Sequence, residues 1–420
     1  MHVERLRLTD FRNYHELDLP LPSGLVVFTG RNAQGKSNLL EAVMLAATSR
    51  SFRTLNDREA VRWGAPGHFA RIDTTVARRG DPLHVEVVLS DTGLPQEGTP
   101  ARPSASDAAL PPAPAAPFRK RIRINGVPRR AMDLLGQITV VVFAPTDLDL
   151  VIGSPAERRR FLDMTLCQVH PAYCRALSQY QKIVTQRAAL LRRIRDGEES
   201  PHALSYWDDQ LARLAVPLIR DRAAFLRAAG DAAAEVYAAL AANEDVDEET
   251  ATGEEEGESG ESGESDNGLR LVYRPSYDGD VAGDEVKAVA AFRARLSEVR
   301  RREVAQGANV LGPHRDDIAF LAGEMDLSTY GSRGQQRSVA LALKLAELGY
   351  IERETGDQPI LLLDDVLSEL DAQRRIDLLA AVRTLDQVLL TTTDAATLPP
   401  ETLNYAHVYR VRGGRVMPVT

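Results

Sequence analysis

Apolar and polar positions change their period several times along this chain, and each change marks a boundary. Val3-Glu4-Arg5-Leu6-Arg7-Leu8 alternates, and Leu17, Leu19 and Leu21 alternate again, so both stretches are expected as strands with one buried face. Leu25-Val26-Val27-Phe28 is a compact apolar run of the kind that forms a buried strand, and from Asn38 to Leu45 the apolar residues fall at helical spacing. Short strands follow at 71–77 and 84–89. Arg119–Ile124 with Asn125-Gly126 predicts a basic hairpin, and 138–143 predicts another buried strand. Ser154-Pro155-Ala156-Glu157 is a helix start: serine caps, proline suits the first helical position, and glutamate completes a capping box. Tyr173, Leu177, Tyr180 and Val184, then Leu204, Trp207, Leu211, Leu214 and Leu218, recur at spacings of three and four. Two such stripes about a turn at Gly197 and Pro201 predict an antiparallel helical hairpin, with Pro217 kinking or interrupting its second arm. Helices at 286–305 and 338–349 and apolar strands at 360–363 and 388–390 complete the pattern.

Composition changes this picture in three places. At 420 residues the chain has room for two or three domains, and with 44% hydrophobic and 26% charged residues it has the make-up of an ordinary soluble protein. No apolar run is long enough to span a bilayer and Met1-His2-Val3-Glu4-Arg5 lacks a signal-peptide pattern, so no membrane role and a cytoplasmic location are expected. The only cysteines, Cys167 and Cys174, are expected as reduced core residues on one face of one helix. The net charge of −9 conceals an asymmetry: Glu244 to Asp266 holds twelve acidic residues and no basic one, so the rest of the chain is at +3 and compatible with a nucleic-acid partner. That Glu/Gly/Ser stretch (244–268) and a Pro/Ala/Ser-rich one (93–117) cannot supply a packed core and are expected to be disordered.

The candidate chemistry begins at Gly30-Arg31-Asn32-Ala33-Gln34-Gly35-Lys36-Ser37, followed by Asn38, set between the buried strand and the helix. This is the G-x-x-x-x-G-K-S phosphate loop: glycines let backbone N–H groups turn toward a polyphosphate, and the helix N-terminus adds its positive dipole end. Lys36 is expected to reach the β- and γ-phosphates of ATP and Ser37 to ligate Mg²⁺. Ile360-Leu361-Leu362-Leu363-Asp364-Asp365 ends an apolar strand in two carboxylates, the form of a Walker B strand. Asp364 would hold Mg²⁺ through water and Asp365 would polarise the attacking water. Between these two motifs, Tyr330-Gly331-Ser332-Arg333-Gly334-Gln335-Gln336-Arg337 resembles the signature of ABC-type ATPases, with Ser332, Gly334 and Gln335 matching its S-x-G-Q core. In that superfamily the signature reaches the γ-phosphate held by a partner subunit. Ser368-Glu369-Leu370-Asp371 looks like the superfamily's D-loop, and Thr391-Thr392-Thr393-Asp394 occupies the switch position without the usual histidine. No glutamine loop is evident; Phe143-Ala144-Pro145-Thr146-Asp147 stands roughly in its place.

In order along nearly the whole chain, Phe11-Arg12-Asn13-Tyr14, GRNAQGKSN, Ser51-Phe52-Arg53-Thr54, Phe143-Ala144-Pro145 with Asp147-Leu148, GSPAERRRFLD (153–163), Gly312-Pro313-His314-Arg315-Asp316-Asp317, SRGQQR and LLLDDVLSELD resemble the RecF family of bacterial recombination-mediator ATPases, related to SMC-type heads. The resemblance implies an α/β fold: an ABC/SMC-type P-loop ATPase head with a mixed sheet, built from 1–153 and 304–420, with a mainly helical domain (154–303) inserted between them. It implies ATP-dependent homodimerisation on DNA, whether single-stranded, duplex or a gapped junction, slow hydrolysis, and roles in replication, recombinational repair and SOS induction. It further implies work with RecR and RecO partners that load RecA, and an approach of Arg12 and Asn13 to the nucleotide. His314 is expected either near the site or as a hydrogen-bonded loop histidine. For DNA the basic clusters offer Arg119, Lys120, Arg121, Arg129, Arg130, Arg158 and Arg159, then Arg187 with Arg192, Arg193 and Arg195, and Arg300 to Arg302; backbone-directed, salt-sensitive binding is expected. Two other classes stand against this reading. One is a monomeric small-molecule kinase. The other is a nucleotide-stabilised scaffold whose acidic segment binds a partner.

Overall fold

The computed structural model describes residues 1–54, 56–90, 118–251 and 268–419. The Pro/Ala-rich 93–117 segment lies outside these residues, as does 252–267 of the acidic segment. In chain order the strands are β1 (His2–Phe11), β2 (Tyr14–Pro20), β3 (Gly24–Thr29), β4 (Phe69–Ala77), β5 (Leu83–Ser90), β6 (Arg119–Ile124), β7 (Val127–Arg129), β8 (Val140–Phe143), β9 (Leu269–Arg274), β10 (Asp317–Ala322), β11 (Met325–Asp326), β12 (Ile360–Asp364), β13 (Gln387–Thr392), β14 (His407–Arg412) and β15 (Arg415–Pro418). The chain divides into two compact units, one of residues 1–143, 357–369 and 382–420, the other of 144–356 and 370–381. The boundaries thus fall at 143/144, 356/357, 369/370 and 381/382 rather than at the expected 153/154 and 303/304.

The first unit holds two six-stranded sheets. One has the order β2-β1-β4-β5-β6-β7 and is antiparallel throughout. The other runs β15-β14-β3-β13-β12-β8, parallel except for the edge strand β15. Parallel strands need apolar residues on both faces, which is why β3, β12 and β13 read as unbroken apolar runs; Val26, Val27, Leu362 and Leu390 are fully buried. The helix Lys36–Thr48 packs against both sheets, so its apolar residues run nearly all the way round, Leu39, Leu40, Val43, Met44 and Leu45 each contributing about 1.5–3 kcal/mol by leaving water. In the antiparallel sheet alternation survives: Leu83, Val85, Val87 and Leu89 are buried on one face of β5. The other face carries a lattice of ion pairs, Arg71 with Glu86 at 2.9 Å and Arg5 with Asp18 at 2.6 Å among them. Asn125 and Gly126 take φ of 49° and 76°, the left-handed pair that closes the basic hairpin as expected.

The second unit is mainly helical, with one small sheet ordered β11-β10-β9. Its helices are Pro155–Val169, Pro171–Arg195, Leu204–Ala251, Glu285–Gln306 and Arg333–Thr355. Glu157 accepts from the Ser154 N–H at 2.6 Å and from its hydroxyl at 3.1 Å, as the helix-start pattern implied. The two-arm hairpin is present, but three details correct the sequence expectation. Pro217 does not interrupt the second arm, which is continuous from Leu204 to Ala251; the carbonyl left without a donor belongs to the exposed Arg213, where water serves instead. The same helix carries residues 244–251, so the acidic segment begins as helix. The cysteines sit on two helices, because the chain breaks at His170–Pro171, although both are buried and no disulfide joins them. The helix Arg333–Thr355 joins this unit because its core face is shared with it: Phe225 meets Tyr350 edge-on at 4.7 Å, and Thr165 donates to Glu347 at 2.7 Å.

Charge inside this unit is neutralised locally. Arg187, fully buried, donates to Asp208 at 2.8 Å, Asn309 at 2.7 Å and Glu303 at 2.6 Å. Removing one member of such a set leaves an unpaired charge in the interior. Arg187→Met is expected to destabilise the protein by about 3–5 kcal/mol, read as a fall in the urea midpoint. A loss below about 1 kcal/mol would show that water reaches the site.

Candidate active site

The loop Gly30–Gly35 leaves the C-terminal end of β3 and enters the helix at Lys36. Gly30 and Gly35 take φ of 151° and 117°. A side chain at Gly35 would stand 2.7 Å from the Asn13 amide, and one at Gly30 would run into the Val411 carbonyl. Both positions therefore demand glycine for close approach as well as for backbone angle. The loop is held from outside: Tyr14 donates its hydroxyl to the Gly35 carbonyl (3.1 Å), Asn13 donates to the Gln34 carbonyl (2.8 Å), and the Gly413 N–H donates to the Gln34 side chain (2.9 Å). The Lys36 ammonium donates to the carbonyls of Gly30 (2.6 Å) and Arg31 (3.1 Å). Burial lowers its pKa, opposed by the charges of Asp365 and Asp364.

The carboxylates arrive by way of the sheet order. Strand β13 lies between β3 and β12, so Asp364 ends a strand two places from the loop strand. Thr391 on β13 ties them together: its hydroxyl donates to Asp364 at 2.8 Å and accepts from the Asp365 N–H at 2.9 Å. Asp365 sits at φ 54°, in the left-handed region that aspartate enters more readily than most residues. Burial pushes its carboxyl above the ordinary range; Lys36 opposes this, and the negative charges of Asp364 and Glu369 add to it. A raised carboxyl is what a general base for water needs. The Ser37 hydroxyl and Asp364 carboxylate form a hard-oxygen donor set that fits Mg²⁺, an ion that keeps several waters and takes few protein ligands. Among the described residues no group of three or more His, Cys, Asp or Glu could hold a metal.

A cavity of about 840 Å³ opens over this arrangement. Asn13, Asn32, Ala33, Gly35, Lys36, Ser37, Asn38 and Asp365 line it. So do Arg53, Arg58, Glu59, Val61 and Trp63, which motif reading did not place there. Gly30, Arg31, Gln34 and Asp364 are not among the lining residues. Arg12 lines the cavity but is committed elsewhere: it donates to both oxygens of the fully buried Glu41 (2.8 and 2.6 Å) and to the Glu59 carbonyl (2.7 Å). Ser51 donates to the same Glu41 at 2.5 Å. A lone glutamate inside the otherwise apolar stretch Leu39–Ala47 was the available signal, because a buried carboxylate requires a cation.

The remaining predicted residues belong to the second unit or to surfaces. Ser332 and Gln335 form a reciprocal capping box at the start of helix Arg333–Thr355, the hydroxyl accepting from the Gln335 N–H at 3.1 Å and the Gln335 side chain accepting from the Ser332 N–H at 2.9 Å. Arg374, unremarked in the sequence, lies 3.2 Å from where a Gly334 side chain would begin, donates to Ser338 at 3.0 Å and pairs with Asp371. His314 is a hydrogen-bonded loop histidine: Nε2 donates to the Asn309 carbonyl and Nδ1 accepts from the Tyr180 hydroxyl at 2.6 Å, and burial lowers its pKa to about 4. Of the DNA candidates, Arg119, Arg121, Arg129 and Arg130 are exposed. Lys120 is engaged with the Ser49 carbonyl and Asp57. Arg158 is buried on Asp317 and Arg187 is interior, which removes both from the solvent-facing set, while Arg159 is half-buried and donates to the Asp316 carbonyl.

The family model described as RecF/RecN/SMC N terminal domain matches residues 2–415. The chain is 42% identical over 434 residues to the DNA replication and repair protein RecF of Chloroflexus aurantiacus, covering 99% of each. This chain belongs to the RecF family. Its fold is accordingly the ABC/SMC-type head anticipated from the motifs. Solved structures of the recombination mediator protein RecF in the RecFOR pathway, one titled RecF-ATPrS and one RecF-ATP, match with TM-scores of 0.81 and 0.80 at 25% identity, covering all of this chain and 98% and 97% of theirs. No helix among the described residues is long and apolar enough to cross a membrane.

The Glu41–Arg12 pair gives a stability prediction for this RecF-family site. Glu41→Ala is expected to cost about 3 kcal/mol by stranding Arg12, and the double variant with Arg12→Ala less than the sum of the two single losses. Urea midpoints at pH 7 test this; strict additivity would mean that the two residues do not interact.

Proposed function

We propose that this chain is an ATP-gated, DNA-binding switch acting in DNA replication and recombinational repair. The observation that carries the reading is the glycine loop with Lys36 and Ser37 placed two strands from Asp364 and Asp365, at one end of one parallel sheet. Its place in a family whose members include RecF solved as RecF-ATP supports ATP as the ligand. Mg²⁺, held by Ser37 and Asp364, would supply charge neutralisation between the β- and γ-phosphates. Lys36 exchanges its two loop carbonyls for phosphate oxygens and loses little, since hydrogen bonds given up are replaced by charge-assisted ones to phosphate. Asp365 orients water and accepts its proton, while Thr391 fixes the Asp364 carboxylate and the Asp365 backbone N–H.

Ser332 and Arg333 are exposed at the start of a long helix whose capping box engages the Ser332 and Gln335 N–H groups and leaves the other first-turn N–H groups outside the helix's own ladder. Such a terminus favours an anion, and we assign it to the γ-phosphate bound by a second copy. Two molecules then close on two ATPs, and hydrolysis through Asp365 opens them. Hydrolysis is slow and DNA-dependent because it resets a switch rather than turning over a metabolite. Exposed Arg119, Arg121, Arg129 and Arg130 offer the closed dimer a phosphate-directed contact to single-stranded or gapped DNA. RecR- and RecO-type partners, RecA loading, SOS induction and a cytoplasmic location belong to the same reading.

Light-scattering mass with Mg²⁺ and ATP, with ADP, and with neither tests the switch. Mass should double with ATP alone; Lys36→Met and Ser332→Arg should each abolish the doubling. Asp365→Asn should still dimerise but hydrolyse about a hundredfold more slowly. Monomers under every condition, or wild-type turnover by Asp365→Asn, would overturn the assignment.

A further inference from the structure

Trp63 is 97% exposed, an unusual state for the largest apolar side chain. It has no ring partner among the described residues. It nevertheless lines the cavity that contains Lys36 and Ser37. The backbone beneath it is not loose. Residues 60–62 are zipped to the end of β1: the Arg12 N–H donates to the Ala60 carbonyl and the Arg62 N–H to the Asp10 carbonyl, both at 2.8 Å, with Val61 bridged to Phe11. The Arg62 guanidinium donates to Asp10 at 2.6 Å, and the Ala65 N–H donates back to the Arg62 carbonyl at 3.1 Å, closing a turn with Trp63 near its tip and Gly64 at φ 74°. A rigid support thus holds an uncovered indole at the rim of the pocket.

We propose that Trp63 is the base platform of this pocket: its indole stacks on the purine ring of the bound nucleoside triphosphate and lets the site favour it over bare polyphosphate. The inference rests on the reading of the cavity as an ATP site. A mononucleotide has phosphates at one end and an aromatic base at the other, and the cavity presents a phosphate loop and an exposed aromatic face. Its volume of about 840 Å³ is in the range of small-molecule sites. Stacking accepts any base and strengthens with ring area, so purines gain most. The face left uncovered in the protein alone is the one that the ligand covers.

Trp63 and Trp207 are the only two tryptophans, so Trp207→Phe makes Trp63 the sole indole emitter. In that variant, ATP with Mg²⁺ should change the emission along a saturating curve, and inorganic tripolyphosphate, although it binds, should not. Trp63→Ala should weaken ATP binding about tenfold while leaving tripolyphosphate affinity within about twofold, and Trp63→Phe should recover most of the loss. ATP affinity unchanged in Trp63→Ala would overturn the inference, including the case in which that variant instead loses affinity for single-stranded DNA. Equal loss of ATP and tripolyphosphate would also overturn it, since the residue would then only support the loop. A wild-type chain that binds neither ligand would remove the ATP-site reading itself, and the inference with it.

Discussion

A loop that offers its backbone N–H groups to a ligand cannot use them to hold its own shape, and the first unit is built around that constraint. The carbonyls of Gly30, Arg31, Gln34 and Gly35 are bound instead, by Lys36, Asn13 and Tyr14, while the Gly413 N–H holds the Gln34 side chain. These groups come from the loop itself, from the turn after β1 and from the hairpin β14–β15. The ends of the chain meet because the parallel sheet places β14 beside β3. Each brace binds an acceptor and leaves the donors of the loop to a phosphate. The same logic explains Gly35, since anything larger would push Asn13 and Tyr14 away, whereas Gly30 is required by the nearby Val411 carbonyl.

The carboxylates depend on a second, smaller device. Asp364 and Asp365 are consecutive, and burial together with the negative charges of Asp364 and Glu369 raises the Asp365 carboxyl above its ordinary range. Thr391 stabilises the pair with one hydroxyl, donating to the first carboxylate and accepting from the N–H of the second residue. Lys36 supplies the compensating charge that burial makes valuable. The site is therefore poised electrostatically before any ligand arrives.

In the second unit, residues distant in sequence are joined by buried ionic networks rather than by apolar packing alone. Arg222 donates to the Tyr173 hydroxyl, the Pro313 carbonyl and Asp163. This connects the segment 153–163 with the segment 312–317, two of the stretches most characteristic of the family. Their role in this unit is structural: they satisfy buried charge. Arg374 does the same between Asp371 and the signature helix. Such networks tolerate little displacement, because each member left unpaired would be costly.

Much of this was legible in the residues. Period-two runs and continuous apolar runs located the strands, and G-x-x-x-x-G-K-S, the Asp pair and the serine-capped signature stand where their local chemistry demands, because each works through backbone within a few residues of itself. What local pattern could not carry was pairing over distance. Nothing near Glu41 names Arg12 as its partner, nothing near Asp364 names Thr391, and five basic clusters look alike until packing buries Arg187 and Arg158 and leaves Arg119 and Arg121 in water. Pro217 reads as a break until the exposure of Arg213 makes the lost hydrogen bond cheap, and no motif singles out Trp63 until the turn that carries it is seen at a cavity rim. The sequence by itself determined the elements and the chemistry of the phosphate loop, which are local. Tertiary structure alone decided which charges are neutralised, which remain in solvent, and which aromatic face is left uncovered, because burial is a property of the whole packed chain.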